Sequence, residues 1–303
     1  MEVQESHIRR KLLKTGKSIV KGFLNLFLIV VFAILLVIVL RVFFFATFKI
    51  PTPSMEPTVL TGDQIFVNKM IPGPRLFTDW RFFYTGNWQM KRWKGIRSLK
   101  RGEVAVFNFP RSNNNWNKIE MDFNVHYVKR IMGVPGDTLR IVNGFYSVSN
   151  VSDTLGVYSS QLQLSGYPDS LLNKKVLNAF PDNKRYGWTI KSFGPLYIPH
   201  AGDKLKIDMN NFVLYGKQIE YETGKRLKVS NDSICLEGKL LSDYTFEQNY
   251  YFMAGDYVLN SKDSRYWGLL PEDHIIGKVS FIWKSKDPYT GKVRWNRILK
   301  KVK

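Results

Sequence analysis

The chain has 303 residues, 44% of them hydrophobic, which is enough for one large domain or two modest ones with a real core and excludes a disordered tail. Its 45 Lys and Arg against 25 Asp and Glu leave a formal charge of +20, the balance of a polyanion binder or of a protein held against anionic lipid, where each juxtamembrane cation contributes about 1 kcal/mol. The single cysteine, Cys235, excludes an intramolecular disulfide and a cysteine-built metal site, and His7, His126, His200 and His274 lack the HxxxH or HExxH spacing of a zinc hydrolase.

Along the chain, the first strong signal is the run from Phe23 to Leu40, FLNLFLIVVFAILLVIVL, whose one polar residue is Asn25. At 1.5 Å per residue it reaches ~27 Å, close to the thickness of a hydrocarbon core, so residues 22–46 are predicted to be a transmembrane anchor with Arg41 snorkelling to the far interface. A basic segment, residues 1–21, precedes it with Arg9, Arg10, Lys11, Lys14, Lys17 and Lys21, whereas Val42 to Asn68 carries only Lys49. The positive-inside bias predicts a single-pass protein of the plasma (inner) membrane, with a cytoplasmic N-terminus and the remainder on the outer or periplasmic side. No small-residue A-x-A site follows the apolar run, which favours an uncleaved anchor over a removable signal peptide.

Beyond the anchor, short stretches rich in Val, Ile, Phe and Tyr recur between Gly, Pro and Asn: QIFVNKM, EVAVFNF, HYVKRIM, TLRIVNG, FVLYG, YYFMAG and KVSFIW. They predict a mainly β, antiparallel domain. Residues 71–100 interleave Trp80, Phe82, Phe83, Tyr84, Trp88 and Trp93 with Arg75, Arg81, Lys91, Arg92, Lys94 and Arg97, a pattern that suits an interfacial belt or ordinary packing better than single-stranded nucleic acid. SNVSDTLG and RSNNNWN read as loops, and residues 143–249 as an inserted subdomain interrupting a domain made of 47–142 and 250–303.

Three segments carry chemistry. In IPTPSMEPTVLTGD, Pro51, Pro53 and Pro57 hold Ser54 on a stiff, non-helical turn. A serine in such a turn is most often only a turn residue. In VHYVKRIMGVPGD, period-two alternation puts Tyr127, Lys129 and Ile131 on one strand face and Val128, Arg130 and Met132 on the other, so that one of the two cations points inward. An exposed strand lysine is the commoner case. In AGDYVLNSKDSRYWGLLPEDHIIGK, a dense run of small polar groups forms a loop between apolar strands, fit to orient a buried base or merely to hold an Asp263–Arg265 pair.

In this order, after an N-terminal anchor, the three blocks resemble the signature boxes of bacterial type I signal peptidases, the leader peptidase family of Ser-Lys endopeptidases. Ser54, Met55, Pro57, Gly62 and Asp63 match the first, and Lys129, Arg130, Gly133, Pro135, Gly136 and Asp137 the second. Gly255, Asp256, Asn260, Ser261, Asp263, Ser264, Arg265, Trp267, Gly268 and Gly277 match the third. The matches touch about an eighth of the chain, and their order makes them specific. Tyr257 and Val258 depart from the pattern, standing where the family has Asn-Arg.

The resemblance implies a signal-peptidase-like coiled antiparallel sheet with Ser54 as nucleophile and Lys129 as general base. An oxyanion would be held by the Ser54 backbone N–H and the Thr52 hydroxyl, and the base aimed by Ser261. Asp256, Asn260, Asp263 and Arg265 would shape the loop, and Phe48, Ile50, Pro51, Met55, Val59, Tyr127 and Val128 would form the substrate pocket. No cofactor or metal is implied. The implied partners are exported preproteins with A-x-A-type signal peptides, the lipid bilayer and the secretion translocon, not nucleic acid. A lysine of ordinary pKa is only ~0.1% neutral near pH 7.4, so the base requires burial, expected to come from Val128, Met132 and neighbouring strands. Two alternatives share these motifs: a catalytically impaired relative acting as an assembly or binding factor, and a specialised Ser-Lys maturation peptidase.

Overall fold

A computed structural model of the chain describes residues 2–77, 90–152, 154–230 and 233–303; for residues 2–19 and 114 it describes the backbone alone. The chain forms two compact units, residues 1–45 and 46–303. The first is helix α1 (Glu2–Val39), continued by a π-helical turn over Leu40–Phe44. Within it Val20–Phe44 is long and apolar enough to cross a membrane, and none of its residues is fully buried. The helix starts well before the expected anchor at 22–46, and strand takes over at Phe45.

The second unit is mainly β and antiparallel. Among its strands are β1 (Phe45–Lys49), β2 (Asp63–Asn68), β3 (Val104–Phe109), β4 (Asp122–Gly133), β5 (Thr138–Val142), β6 (Phe145–Val148), β7 (Phe193–Tyr197), β8 (Tyr250–Ala254), β9 (Leu270–Pro271) and β10 (Ile275–Ser285). Seven of them form one sheet in the order β1-β2-β10-β3-β4-β8-β9, and β6-β5-β7 form another. The alternation of QIFVNKM becomes a buried and half-buried alternation along β2, while VAVFNF in β3 is buried at every position because both of its faces are covered. On one side Ile50, Met55, Val59, Ile65, Val104, Val106 and Ile282 form a core; on the other, Ala105, Phe107, Ile131, Met253 and Trp267 form a second. Each large apolar side chain buried this way stabilises the fold by roughly 1.5–3 kcal/mol.

One expected strand is a helix. FVLYG lies inside Met209–Thr223, a 15-residue α-helix capped by Asp208, whose side chain accepts the Asn211 N–H, and stopped by Gly224 at φ +67°. Its buried residues Leu214, Tyr215, Gln218 and Ile219 recur at helical spacing, a period that overrides the β-propensity of a five-residue window. Residues 143–249 belong to the same compact unit as their flanks. Tyr146, Leu164, Phe193, Tyr215 and Phe246 share a core with Met132, Leu139 and Phe252.

In the basic and aromatic stretch, Trp80, Arg81, Phe82, Phe83, Tyr84 and Trp88 lie outside the described residues. Of the cations on either side, Lys91 and Lys94 are exposed and the three arginines are held by the fold. Arg75 donates to the carbonyls of Asp273 and His274 and to Asn108, Arg92 donates to the carbonyls of Gly73, Glu272 and Ile275, and Arg97 pairs with Glu103.

Candidate active site

Ser54 lies on the turn between β1 and β2. Glu56 N–H donates to the Pro53 carbonyl and Val59 N–H to the Met55 carbonyl, each at 2.9 Å, and the Ile50 N–H and Gly62 N–H bonds close the segment into a tight loop. Proline at three positions removes donors that a helix would need, so the loop is held by these few bonds and by burial of Met55 and Val59. Asp63 anchors the end of the loop: its carboxylate accepts the Leu60 N–H, the Ser285 hydroxyl and the Arg297 guanidinium.

Lys129 is on β4, opposite Ala105 of β3. Its Nζ donates to Ser54 Oγ at 2.6 Å, across 75 residues of sequence. The side chain is 3% exposed and its amine stands 5.6 Å from the centre of the Tyr127 ring. Burial pushes the Lys129 amine down to about 8, with Asp263 and Asp256 drawing it up and Arg265 driving it further down. Among the described residues no carboxylate forms an ion pair with Lys129, because the two nearby acids are already engaged. Asp256 is bound bidentately by Arg130 at 2.6 Å, and Asp263 by Arg265 at 2.8 Å.

The sequence led to one inward cation on β4, but both are buried, Lys129 at 3% and Arg130 at 6% exposure. Each face of this central strand is covered, and the guanidinium survives burial through Asp256, the Thr58 hydroxyl and backbone carbonyls. Of the residues expected to desolvate Lys129, Met132 lies in another core. Tyr127 and Ile131 share the face of Lys129, whereas Met132 packs into the core of the β5–β7 sheet; Val128 lines the adjoining cleft and packs against the core of Ile50, Met55 and Val59.

Ser261 makes no hydrogen bond to Lys129. Its hydroxyl is buried without a bond of full hydrogen-bond geometry, and lies close enough to Asp263 to favour the ionised carboxylate. Burial opposes ionisation of Asp263, but Arg265, Ser261 and the Gly255 N–H together hold it below the ordinary carboxylate value. The alternation here is buried Ser261, exposed Lys262, buried Asp263. Gly255 is pressed against this loop: a Cβ there would lie 2.2 Å from Ser261 Oγ and 2.5 Å from the Ser54 carbonyl oxygen. Tyr257, the departure from the family pattern, uses its backbone, donating its N–H to the Ser54 carbonyl at 3.2 Å.

A cleft of about 400 Å³ opens onto Ser54 and Lys129. Phe48, Ile50, Pro51, Met55, Tyr127 and Val128 line it, as does Thr52. Val59, assigned to the same pocket, does not; it is fully buried in the core beside Ile65 and Val104 because its N–H closes the turn onto Met55. Sequence reasoning missed Lys49, Val125, His126 and Lys262 as lining residues, and placed Asn260 only in the loop. The alternation that placed Tyr127 extends back to Val125, the one signal that could have found part of this set.

A serine hydroxyl bonded to a buried, unpaired lysine amine, beside an apolar cleft, defines a serine endopeptidase site of the Ser-Lys type. The signal peptidase, peptidase S26 family matches residues 23–161 and 198–284, three quarters of the chain, and the chain belongs to that family. It is 30% identical over 261 residues to the signal peptidase I of Pseudomonas fluorescens, covering 82% of this chain and 68% of that one. It is 27% identical over 259 residues to signal peptidase I of Buchnera aphidicola subsp. Schizaphis graminum, covering 82% and 71%, and 26% identical over 278 residues to that of Aquifex aeolicus, covering 90% and 85%.

Proposed function

We propose that this enzyme removes signal peptides from exported preproteins, with Ser54 as nucleophile and Lys129 as general base. The observation that carries the reading is the 2.6 Å bond between Ser54 Oγ and an amine that burial has pushed down to about 8. With that value roughly a fifth of the amine is neutral at pH 7.4, some two hundred times the fraction in an ordinary lysine.

The neutral amine takes the Ser54 proton as Oγ attacks the scissile carbonyl; the tetrahedral oxyanion is received by the Ser54 N–H and the Thr52 hydroxyl. Collapse releases the mature protein's amino group, protonated from Lys129, and leaves an acyl-enzyme. Lys129 then draws a proton from water, whose attack on the ester frees the signal peptide and restores Ser54. Ser261 supports the ionised state of Asp263 behind the amine, and Asp256, Asn260, Asp263 and Arg265 hold the loop.

The substrate is read as an extended segment with small residues at the first and third positions before the cut. Residues 126–129 of β4 pair with β3 along one edge, whereas β8 begins pairing only at Arg130. Among the described strands the other edge of 126–129 has no partner, which suits strand addition, with alternate side chains entering the apolar cleft. In this reading the N-terminus is cytoplasmic and residues after about 46 lie on the outer side of the inner membrane, where preproteins emerge from the translocon with their own apolar helix in the lipid; the cations that precede the apolar run support that orientation.

The test is cleavage of a preprotein carrying an A-x-A site by the full-length enzyme in detergent or lipid, beside Ser54→Ala and Lys129→Ala. The parent is expected to cut at that site and both variants to lose the reaction. Cleavage by Lys129→Ala at the parental rate would sink the mechanism.

A further inference from the structure

The loop that carries Ser261 and Asp263 sends the residue between them, Lys262, out to the cleft. Its Nζ sits 4.6 Å from the centre of the Trp116 ring and 5.6 Å from that of Phe109, close enough for the ring faces to hold a cation in place. Trp116 is itself tied down. Lys217, from the Met209–Thr223 helix, donates to its carbonyl at 2.7 Å, and Arg111 at the base of the loop donates to the Lys118 and Trp267 carbonyls. Residues far apart in sequence therefore fix the direction of one ammonium group.

Among the described residues, that group meets no acid in the cleft. The cleft lining includes Lys49, Lys129 and Lys262 and no carboxylate, and the two acids nearest the dyad, Asp256 and Asp263, are each held by an arginine. Burial against the rings lowers the affinity of Lys262 for its proton, and no carboxylate raises it again. A cleft of about 400 Å³ is roughly 7 Å on a side, shorter than the ~10 Å over which 0.1 M salt screens a charge.

We propose that Lys262, positioned over Trp116, is a specificity-determining residue that favours substrates with an acidic side chain beside the scissile bond and disfavours those with a basic one. The acid supplies the counter-charge the cleft lacks. At contact distance in a solvated cleft such a pair changes kcat/KM by about fivefold for each sign of charge. The proposal rests on the endopeptidase reading above.

The experiment uses full-length enzyme and matched preproteins with Glu, Gln or Lys placed in turn at the second position before the cut and the first and second after it. The readout is the ratio of kcat/KM for the Glu and Lys substrates, which does not depend on how much active enzyme each preparation holds. The parent is expected to give a Glu-to-Lys ratio of about 25 at one or more of these positions, with the ratio shrinking between about 0.05 M and about 0.5 M salt. K262M should bring the ratio near one, K262E should invert it, and W116A should give an intermediate ratio because the charge remains but its position is lost. A parental ratio near one at all three positions, or a ratio unmoved by K262M and K262E, overturns the proposal. Failure of the parent to cut the Gln substrate would instead overturn the endopeptidase reading and this proposal with it.

Discussion

Neighbouring residues on β4 treat a buried cation in opposite ways. Arg130 is matched atom for atom by Asp256, as Arg265 is by Asp263, so these charges are neutralised where they lie and lock the loop to the sheet. Lys129 has Ser54 Oγ and a tyrosine ring but, among the described residues, no paired carboxylate, so burial acts on its proton affinity instead. A paired buried charge fixes structure; an unpaired one becomes a base. The arginines also shield Lys129 indirectly, because a free carboxylate beside it would hold the amine protonated.

The sharpest way to break this comparison is Lys129→Arg. It keeps the charge but replaces the amine with a guanidinium that does not deprotonate, and cleavage is expected to fall by about 100- to 10,000-fold while the protein still folds, measured by preprotein turnover and thermal unfolding. Thr52→Val removes one proposed oxyanion donor and should lower kcat by roughly 100- to 1,000-fold; parental turnover would take Thr52 out of the site.

Stability separates the paired from the unpaired cation. Arg265→Met strands the Asp263 carboxylate and should destabilise the fold by about 3–5 kcal/mol in denaturant titrations. Lys129→Met should do the reverse at neutral pH, stabilising by up to about 3 kcal/mol. The folded-state value near 8 lies below the 10.5 of the unfolded chain, so between them the unfolded state binds more protons and the parent's stability rises with pH. The advantage of Lys129→Met should therefore shrink across that window and vanish above it; an advantage that does not depend on pH would contradict the assignment.

The smallest expected effect is on activity itself. Because the neutral amine is the reactive form, kcat/KM should rise about four- to fivefold from pH 7.4 to pH 9, with a midpoint near 8. A flat profile over that range would mean that Lys129 does not titrate there.

Much of this molecule was legible in order of sequence. An 18-residue apolar run announces a membrane-spanning helix because its length matches a bilayer, and alternating Val, Ile and Phe announce strands because a strand turns every second side chain the same way. Proline placement fixed Ser54 on a rigid turn, and the ordered blocks pointed to the family. The helix at 209–223 was missed because five apolar residues do not reveal their period without the cap and stop on either side.

Pairing was decided by the tertiary structure alone. Each of the Gly-Asp steps in the three blocks ends in an acid bound by an arginine that no local pattern indicates: Asp63 by Arg297, Asp137 by Arg101, Asp256 by Arg130. Alternation assigned Lys129 and Arg130 to opposite faces but could not say that both faces are covered. Nor could it say that one cation meets a carboxylate and the other a serine. Local propensity determines how a segment is shaped, whereas the distance between groups scores of residues apart is set by how finished sheets and loops pack, and the reactivity of this site resides in that distance.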